Sequence, residues 1–274
     1  MNDILSISRP SHFDLDKIFD CGQSFRFDKG EDGVWEGVAF GRVLRVSQDE
    51  ENVYLNCGKE DFERIWKPYL GLDRDYDEVN RNIESHFENA VMASAIEAGD
   101  GIRILRQEPW ETLCSFIISQ NNNIPRIKSL INAISRNYGE RFEYGGRGYY
   151  AFPAPEALLA AGEEGLKALK TGFRAAYLIS AAEHCLSGTD LYRIRDEYTY
   201  EQGMEELCRI KGVGPKVASC TLLFSLDKLS AFPVDVWIKK VIDKYFGGRL
   251  DTGSLGEYAG IAQQYLFYYE RNLK

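Results

Sequence analysis

Hydrophobic positions in the first sixty residues follow the short, alternating rhythm of strands. Ser24-Phe25-Arg26-Phe27, then Val34–Phe40, Val43–Val46 and Asn52–Leu55 are β-branched and aromatic runs separated by Gly, Asp and Asn, the pattern of strands joined by turns. An antiparallel sheet is expected. From about Glu60 the spacing changes to threes and fours (Phe62, Ile65, Trp66, Tyr69; later Val79, Ile83, His86 and Phe87), which is the helical period, and no convincing strand follows. Pro109, Pro125, Pro155 and Pro215 suit first helical turns, where a missing N–H costs nothing. The fold class is therefore α+β, with the change near residues 88–102 dividing the chain into 1–96 and 97–274. Glu143–Tyr150 (Glu-Tyr-Gly-Gly-Arg-Gly-Tyr-Tyr) reads as a glycine-rich loop between helices rather than an RGG-type segment. There is no internal repeat.

Composition narrows the class. Of the 274 residues, 44% are hydrophobic and 27% charged, close to globular averages, which removes disordered and low-complexity classes. No apolar run approaches the ~18 residues of a membrane span, and Met1-Asn2-Asp3-Ile4 lacks the basic and apolar regions of a signal peptide. A cytoplasmic protein without membrane association is expected. The six cysteines form no C-x-x-C pair, and His12, His86 and His184 lie far apart, so neither a metal nor another cofactor is expected. Free thiols, most of them in the core, are the simplest account.

The net charge of −9 argues mildly against a nucleic-acid partner, but the charge is segregated. Thr112–Gly139 contains no acid while carrying Arg126, Lys128 and Arg136. In Leu207–Ala218 the only charges are Arg209, Lys211 and Lys216. A local cationic face is compatible with this distribution.

The most informative segment is Ile210-Lys211-Gly212-Val213-Gly214-Pro215-Lys216-Val217-Ala218. Two glycines one residue apart permit a tight turn, and Pro215 opens a helix continued by Val217, Cys220, Thr221 and Phe224. The amides of Gly212 and Gly214 at that helix start can donate to a phosphate, although a plain helical corner would look the same. No strand precedes the glycines, so this is no dinucleotide fingerprint. Lys216 falls in the first turn, where the helix dipole disfavours a further positive charge; a neutral amine there can attack an electrophilic carbon and form a Schiff base. A solvated surface lysine is the other reading. Some twenty residues on, Pro233-Val234-Asp235-Val236 places Asp235 as an N-cap. Among apolar neighbours, the same carboxylate could stabilise a developing cationic sugar or assist proton transfer.

These two segments, together with Gly22-Gln23-Ser24-Phe25-Arg26, Leu105-Arg106-Gln107-Glu108-Pro109-Trp110-Glu111, Ser115-Phe116-Ile117, Asn121-Asn122-Asn123-Ile124 and Tyr258-Ala259-Gly260, resemble the helix–hairpin–helix DNA glycosylase superfamily, and within it the 8-oxoguanine DNA glycosylase/AP lyase family. The resemblance covers almost the whole chain. It implies an N-terminal antiparallel sheet of the TATA-binding-protein type followed by a helical helix–hairpin–helix catalytic domain. It further implies action without a cofactor on double-stranded DNA that contains 8-oxoguanine, and a monomer is expected because one protein face must grip one duplex. Lys216 matches the nucleophile that displaces the damaged base and remains as a Schiff base while the strand is nicked by β-elimination; Asp235 matches the superfamily's carboxylate. For a base flipped out of the duplex, Gly22 matches the residue whose carbonyl recognises the N7 hydrogen of 8-oxoguanine, Cys220 and Phe267 the pair that sandwiches it, and Gln263 the reader of its Watson–Crick edge. Asn121 matches the residue that fills the vacated gap, Arg126 and Arg174 those that hold the opposite cytosine, and Phe173 an aromatic wedge. Lys211, Gly212 and Gly214 would meet the DNA backbone. Trp237 stands where well-known eukaryotic members have a histidine near the lesion's phosphate, and Phe173 replaces the usual tyrosine. Two readings stand beside this one: a non-catalytic helix–hairpin–helix protein that binds damaged DNA, and a glycosylase for another oxidised or alkylated purine.

Overall fold

In the N-terminal part the alternation is realised as a sheet. The computed structural model describes residues 4–87 and 89–273. Strands β1 (Leu5–Ser8), β2 (Phe27–Lys29), β3 (Trp35–Ala39), β4 (Arg42–Gln48) and β5 (Asn52–Leu55) form one antiparallel sheet in the order β1-β5-β4-β3-β2. Its register pairs Leu5 with Leu55 and Trp35 with Val46. Trp35, Leu44, Val46, Val53 and Leu55 bury one face against Ile18 and Phe19 of α1 (Leu15–Asp20) and against Trp66, Tyr69 and Leu70. Gly37 is required in β3, because a Cβ there would lie 2.6 Å from the Phe27 ring.

Two sequence expectations need correction. Ser24-Phe25-Arg26 is not strand; pairing begins only at Phe27. The preceding residues bend away so that Arg26 reaches Ser135 Oγ (2.7 Å) and the Tyr150 carbonyl (2.6 Å) in the helical part. The second correction is that strands do recur. After the short helical pieces α2 (Lys59–Asp61) and α3 (Lys67–Tyr69), and the longer α4 (Tyr76–His86), α5 (Ala90–Gly99), α6 (Pro109–Ser119) and α7 (Ile124–Tyr138), the expected glycine-rich loop is a hairpin of β6 (Arg141–Tyr144) and β7 (Arg147–Tyr150). Gly145 and Gly146 both take positive φ (56° and 76°), the demand of a two-residue turn that matches strand twist. The alternating aromatics dock it on the first sheet: Tyr149 Oη donates to Glu36 (2.7 Å), and Asn56 donates to Tyr144 Oη (2.6 Å).

The rest is helical: α8 (Pro155–Ala168), α9 (Arg174–Ser187), α10 (Leu191–Glu197), α11 (Tyr200–Cys208), α12 (Pro215–Phe224), α13 (Val236–Tyr245) and α14 (Ala259–Asn272). All four prolines expected at helix starts occupy first turns, of α6, α7, α8 and α12. Helices α6 and α12 pack together, and Thr112–Ile118 and Val217–Phe224 are buried throughout, so these two helices form the centre of a second core. The two cores are tied by Arg103. Its buried guanidinium donates to the carbonyls of Ser11 (2.8 Å), His12 (2.9 Å) and Gly71 (2.7 Å) and stacks 4.3 Å from the Tyr76 ring. No described helix is long and apolar enough to cross a membrane.

His12 bridges the same junction, bonded to Asp100 and to Asp77 (2.9 Å). Burial pulls its pKa down, but the hydrogen bonds and charges of Asp100 and Asp77 outweigh that pull and hold it above the ordinary value. The stability this supplies is full below the unfolded-state value near 6.5 and is lost as pH rises through the raised folded value. His12→Asn keeps a residue that tolerates the left-handed backbone here (φ 51°). In urea titrations the wild type should exceed this variant in stability at pH 5.5, with the difference shrinking steadily towards pH 9.

Candidate active site

The hairpin between α11 and α12 sets the position of Lys216. Gly212 has φ +85°, and a Cβ there would lie 2.1 Å from Tyr177 Cγ, so backbone lies directly on the Tyr177 ring. The Gly212 carbonyl accepts from Gln120 Nε2 (3.0 Å). Gly214 caps α12 with no side-chain bond, Pro215 follows, and nothing lies within 4 Å of the Gly214 Cβ position. The first-turn amides of α12 thus lack a side-chain cap on an open surface, with Lys211 exposed beside them, an arrangement suited to an anion.

Lys216 is half-buried. Its Nζ donates to Ser119 Oγ (3.1 Å) and lies 5.1 Å from the centre of the Phe116 ring, which stacks in turn on Phe224 (5.4 Å). Asp235 is the N-cap of α13, as its place in the sequence predicts. Its Oδ1 accepts from the amides of Trp237 (3.0 Å) and Ile238 (2.9 Å), so the two capping bonds occupy a single oxygen.

One cavity brings six of the expected residues together: Lys216, Asp235, Gly22, Cys220, Gln263 and Phe267, with Phe116, Phe224 and Pro233 completing the wall. Gly22 has φ +81°, and its Cβ position faces the Phe267 ring at 3.7 Å. The carbonyls on either side of it are occupied, Cys21 O by Gln264 Nε2 (2.6 Å) and Gln23 O by Gln107 Nε2 (2.7 Å). Among the described residues no donor reaches the Gly22 carbonyl itself. Gln263 is 4% exposed, and its Oε1 is buried without a partner. A buried acceptor left unpaired costs about 1–3 kcal/mol, a cost that a donor entering the cavity would remove. Burial pushes the Cys220 thiol up to about 11, against the opposing pull of Lys216; the wall here is a neutral thiol. The cavity holds about 60 Å³.

Four more of the expected residues, Asn121, Arg126, Phe173 and Arg174, lie around the C-terminus of α6 and the N-terminus of α9. Asn121 is exposed with φ 49°. Phe173 is 51% exposed, an uncommon state for so large an apolar ring, and lies edge-on to Tyr177 (5.6 Å). Arg126 is exposed on α7. Arg174 is 4% exposed, and all three of its nitrogens donate to backbone: Nε (3.0 Å) and Nη2 to Gln120, Nη2 to Asn121 (3.0 Å) and Nη1 to Thr171 (3.2 Å). It therefore clamps the turn that carries Asn121, and its donors are not free for a base in this state. Burial and the nearby Arg126 charge lower its pKa. Trp237 sits half-buried on α13 beneath Lys240 Nζ (4.2 Å). Residue-by-residue reading missed Ser119, Phe116, Gln107 and Gln264 as parts of the site. Phe116, Ser119 and Gln107 lie inside motifs that were themselves conspicuous, whereas Gln264 carries no local signal.

A strand-then-helix chain whose hairpin presents a lysine beside a capping aspartate defines a class of nucleic-acid-directed enzymes, and comparison with known proteins specifies it. Residues 5–113 match the family model of the 8-oxoguanine DNA glycosylase N-terminal domain, and residues 114–253 that of the HhH-GPD superfamily of base excision DNA repair proteins. An N-glycosylase/DNA lyase of Saccharomyces cerevisiae is 34% identical over 256 residues, spanning 83% of this chain and 66% of the yeast protein. The 8-oxoguanine glycosylase/lyase of Clostridium acetobutylicum superposes in its apo form with a TM-score of 0.92 at 39% identity, over 98% of this chain and 97% of that one. Its complex with duplex DNA containing cytosine opposite 8-oxoguanine gives 0.89 at 38% identity over 99% of each chain. The chain belongs to the 8-oxoguanine DNA glycosylase family of the HhH-GPD superfamily.

The hairpin geometry predicts a contrast between its glycines. Gly212→Ala, strained at positive φ and driven into the Tyr177 ring, should lose about 2–4 kcal/mol in chemical denaturation. Gly214→Ala, with an extended backbone and open space, should change stability by less than about 1 kcal/mol.

Proposed function

We propose that this protein is a bifunctional glycosylase/AP lyase that excises 8-oxoguanine from double-stranded DNA, with Lys216 as nucleophile. The observation that carries the reading is the single cavity lined by Lys216, Asp235, Gly22 and Gln263, in which Gln263 Oε1 is buried without a partner and, among the described residues, no donor reaches the Gly22 carbonyl. Both acceptors suit the lesion. Guanine N7 is an acceptor, whereas 8-oxoguanine carries hydrogen there, so the Gly22 carbonyl attracts the lesion and repels the normal base. Gln263 Oε1 can accept from the N–H groups of the Watson–Crick edge. A cavity of about 60 Å³ is too small for a purine, so the half-buried Phe267 ring swings aside and then closes on the base against Cys220.

The neutral Lys216 amine attacks C1′ as the glycosidic bond breaks. The bonding pair leaves with the base, which takes up a proton. Asp235 opposes the positive charge that develops on the sugar. The adduct nitrogen loses a proton, the sugar ring opens to the protonated Schiff base, and loss of a C2′ proton expels the 3′ phosphate by β-elimination. Asn121 fills the gap, Phe173 wedges the adjacent step, and Arg126, with Arg174 once released from its carbonyls, holds the opposite cytosine. The amides of Gly212 and Gly214 with Lys211 meet the backbone, and Trp237 with Lys240 flanks the lesion's phosphate. We take residues 1–96 and 97–274 as the two domains of a cytoplasmic monomer.

Borohydride trapping on a duplex with one 8-oxoguanine opposite cytosine tests this reading. A covalent adduct is expected with wild type, none with Lys216→Gln, and none on undamaged G·C. Base release without an adduct would make the enzyme monofunctional, and binding with neither would make it a damage-binding protein. Asp235→Asn separates capping from chemistry. Asn caps helices as well as Asp, so stability should hold within about 0.5 kcal/mol while single-turnover excision falls on the order of 100-fold.

A further inference from the structure

We propose that Ser119 is a positioning residue for the nucleophile, holding the Lys216 amine in register with the cavity before a base arrives. The inference rests on the proposed function and identifies how the lysine is aimed. Ser119 is the last residue of α6, and its Oγ is the acceptor for Lys216 Nζ at 3.1 Å. The direction of that bond is determined by a second one. Ser119 Oγ donates its only hydrogen to the Phe116 carbonyl (2.8 Å), so it meets the amine with a lone pair alone. In the neutral amine this orients an N–H towards Ser119 and leaves the nitrogen lone pair for another direction.

The Phe116 ring, three residues earlier and on the same helix face, bounds the amine from a second side at 5.1 Å. No carboxylate among the described residues is ion-paired with Lys216, so the amine is held by an uncharged acceptor. A free lysine side chain samples many rotamers; holding it before the reaction removes that entropy loss from the chemical step.

The registration is rigid because α6 and the hairpin are joined one residue further on. Gln120 Nε2 donates to Gly212 O (3.0 Å), while the Gln120 carbonyl is held by Arg174. Ser119 and Lys216, 97 positions apart, are thus tied across the helix pair by flanking bonds. The segment that aims the lysine also carries Asn121, two residues later.

The test compares Ser119→Ala and Ser119→Thr with wild type in single-turnover excision and borohydride trapping on the 8-oxoguanine·cytosine duplex. Affinity is measured separately on a duplex holding a tetrahydrofuran abasic analogue, and folding by thermal unfolding. Expected for Ser119→Ala is a fall in both rates of about 10- to 100-fold, with affinity and unfolding midpoint near wild type. Ser119→Thr, which restores the oxygen, should recover most of the rate. An alanine variant as fast as a trapping wild type would overturn the role of Ser119 alone. Rate and affinity lost together, without rescue by threonine, would also overturn it and mark a structural role. A wild type that forms no adduct would remove the proposed function and this inference with it.

Discussion

The site depends on how the bend at Gly22 is held. The neighbouring carbonyls are taken by two glutamine amides, one from the start of α6 and one from α14. A residue between the sheet and the helices is thereby fixed against both ends of the helical core. Gln23 extends the arrangement: its amide donates to the carbonyls of Ile18 and Arg103 (2.9 Å each) and its Oε1 accepts from Leu105 N (2.9 Å). Buried polar groups of this kind must be satisfied or they destabilise the fold. Here each is, which leaves the Gly22 carbonyl and Gln263 Oε1 as exceptions at the cavity. Unpaired acceptors at a cavity are what a selective pocket requires, since only a ligand with matching donors removes their cost.

The lysine lies among aromatic rings and a serine and shares its cavity with one carboxylate, which the start of α13 engages through a single oxygen. The bonds that fold α13 therefore also orient the group that, under the proposed mechanism, would face the reacting sugar, because an N-cap places a carboxylate at the positive end of a helix, at a fixed angle to the chain.

The polar face around Asn121 and Phe173 is differently prepared. Phe173 is exposed, while Arg174 is committed to backbone carbonyls. Under the proposed function the duplex would have to exchange those bonds for its own, so clamping the turn that carries Asn121 and reading the opposite base would be alternative engagements of one guanidinium.

Much of this was legible in the chain. The sheet, the helix starts at four prolines, the capping Asp235 and the glycine hairpin before Lys216 follow from residues within about four positions of each other, the range over which turns, caps and first-turn chemistry act. The same local reasoning failed at Ser24–Arg26, where a distant helix draws Arg26 out of strand geometry, and at Glu143–Tyr150, where two glycines supply a hairpin turn rather than a loop. Only the tertiary structure decided that Gly22, Lys216 and Gln263 share a cavity, that Arg174 is spent on carbonyls and that Ser119 accepts from the lysine. Each of these rests on contacts between segments far apart, up to 243 positions for Cys21 and Gln264. Such pairs leave no periodic trace in a single sequence, because what selects them is the packing of whole elements rather than the preferences of neighbouring residues.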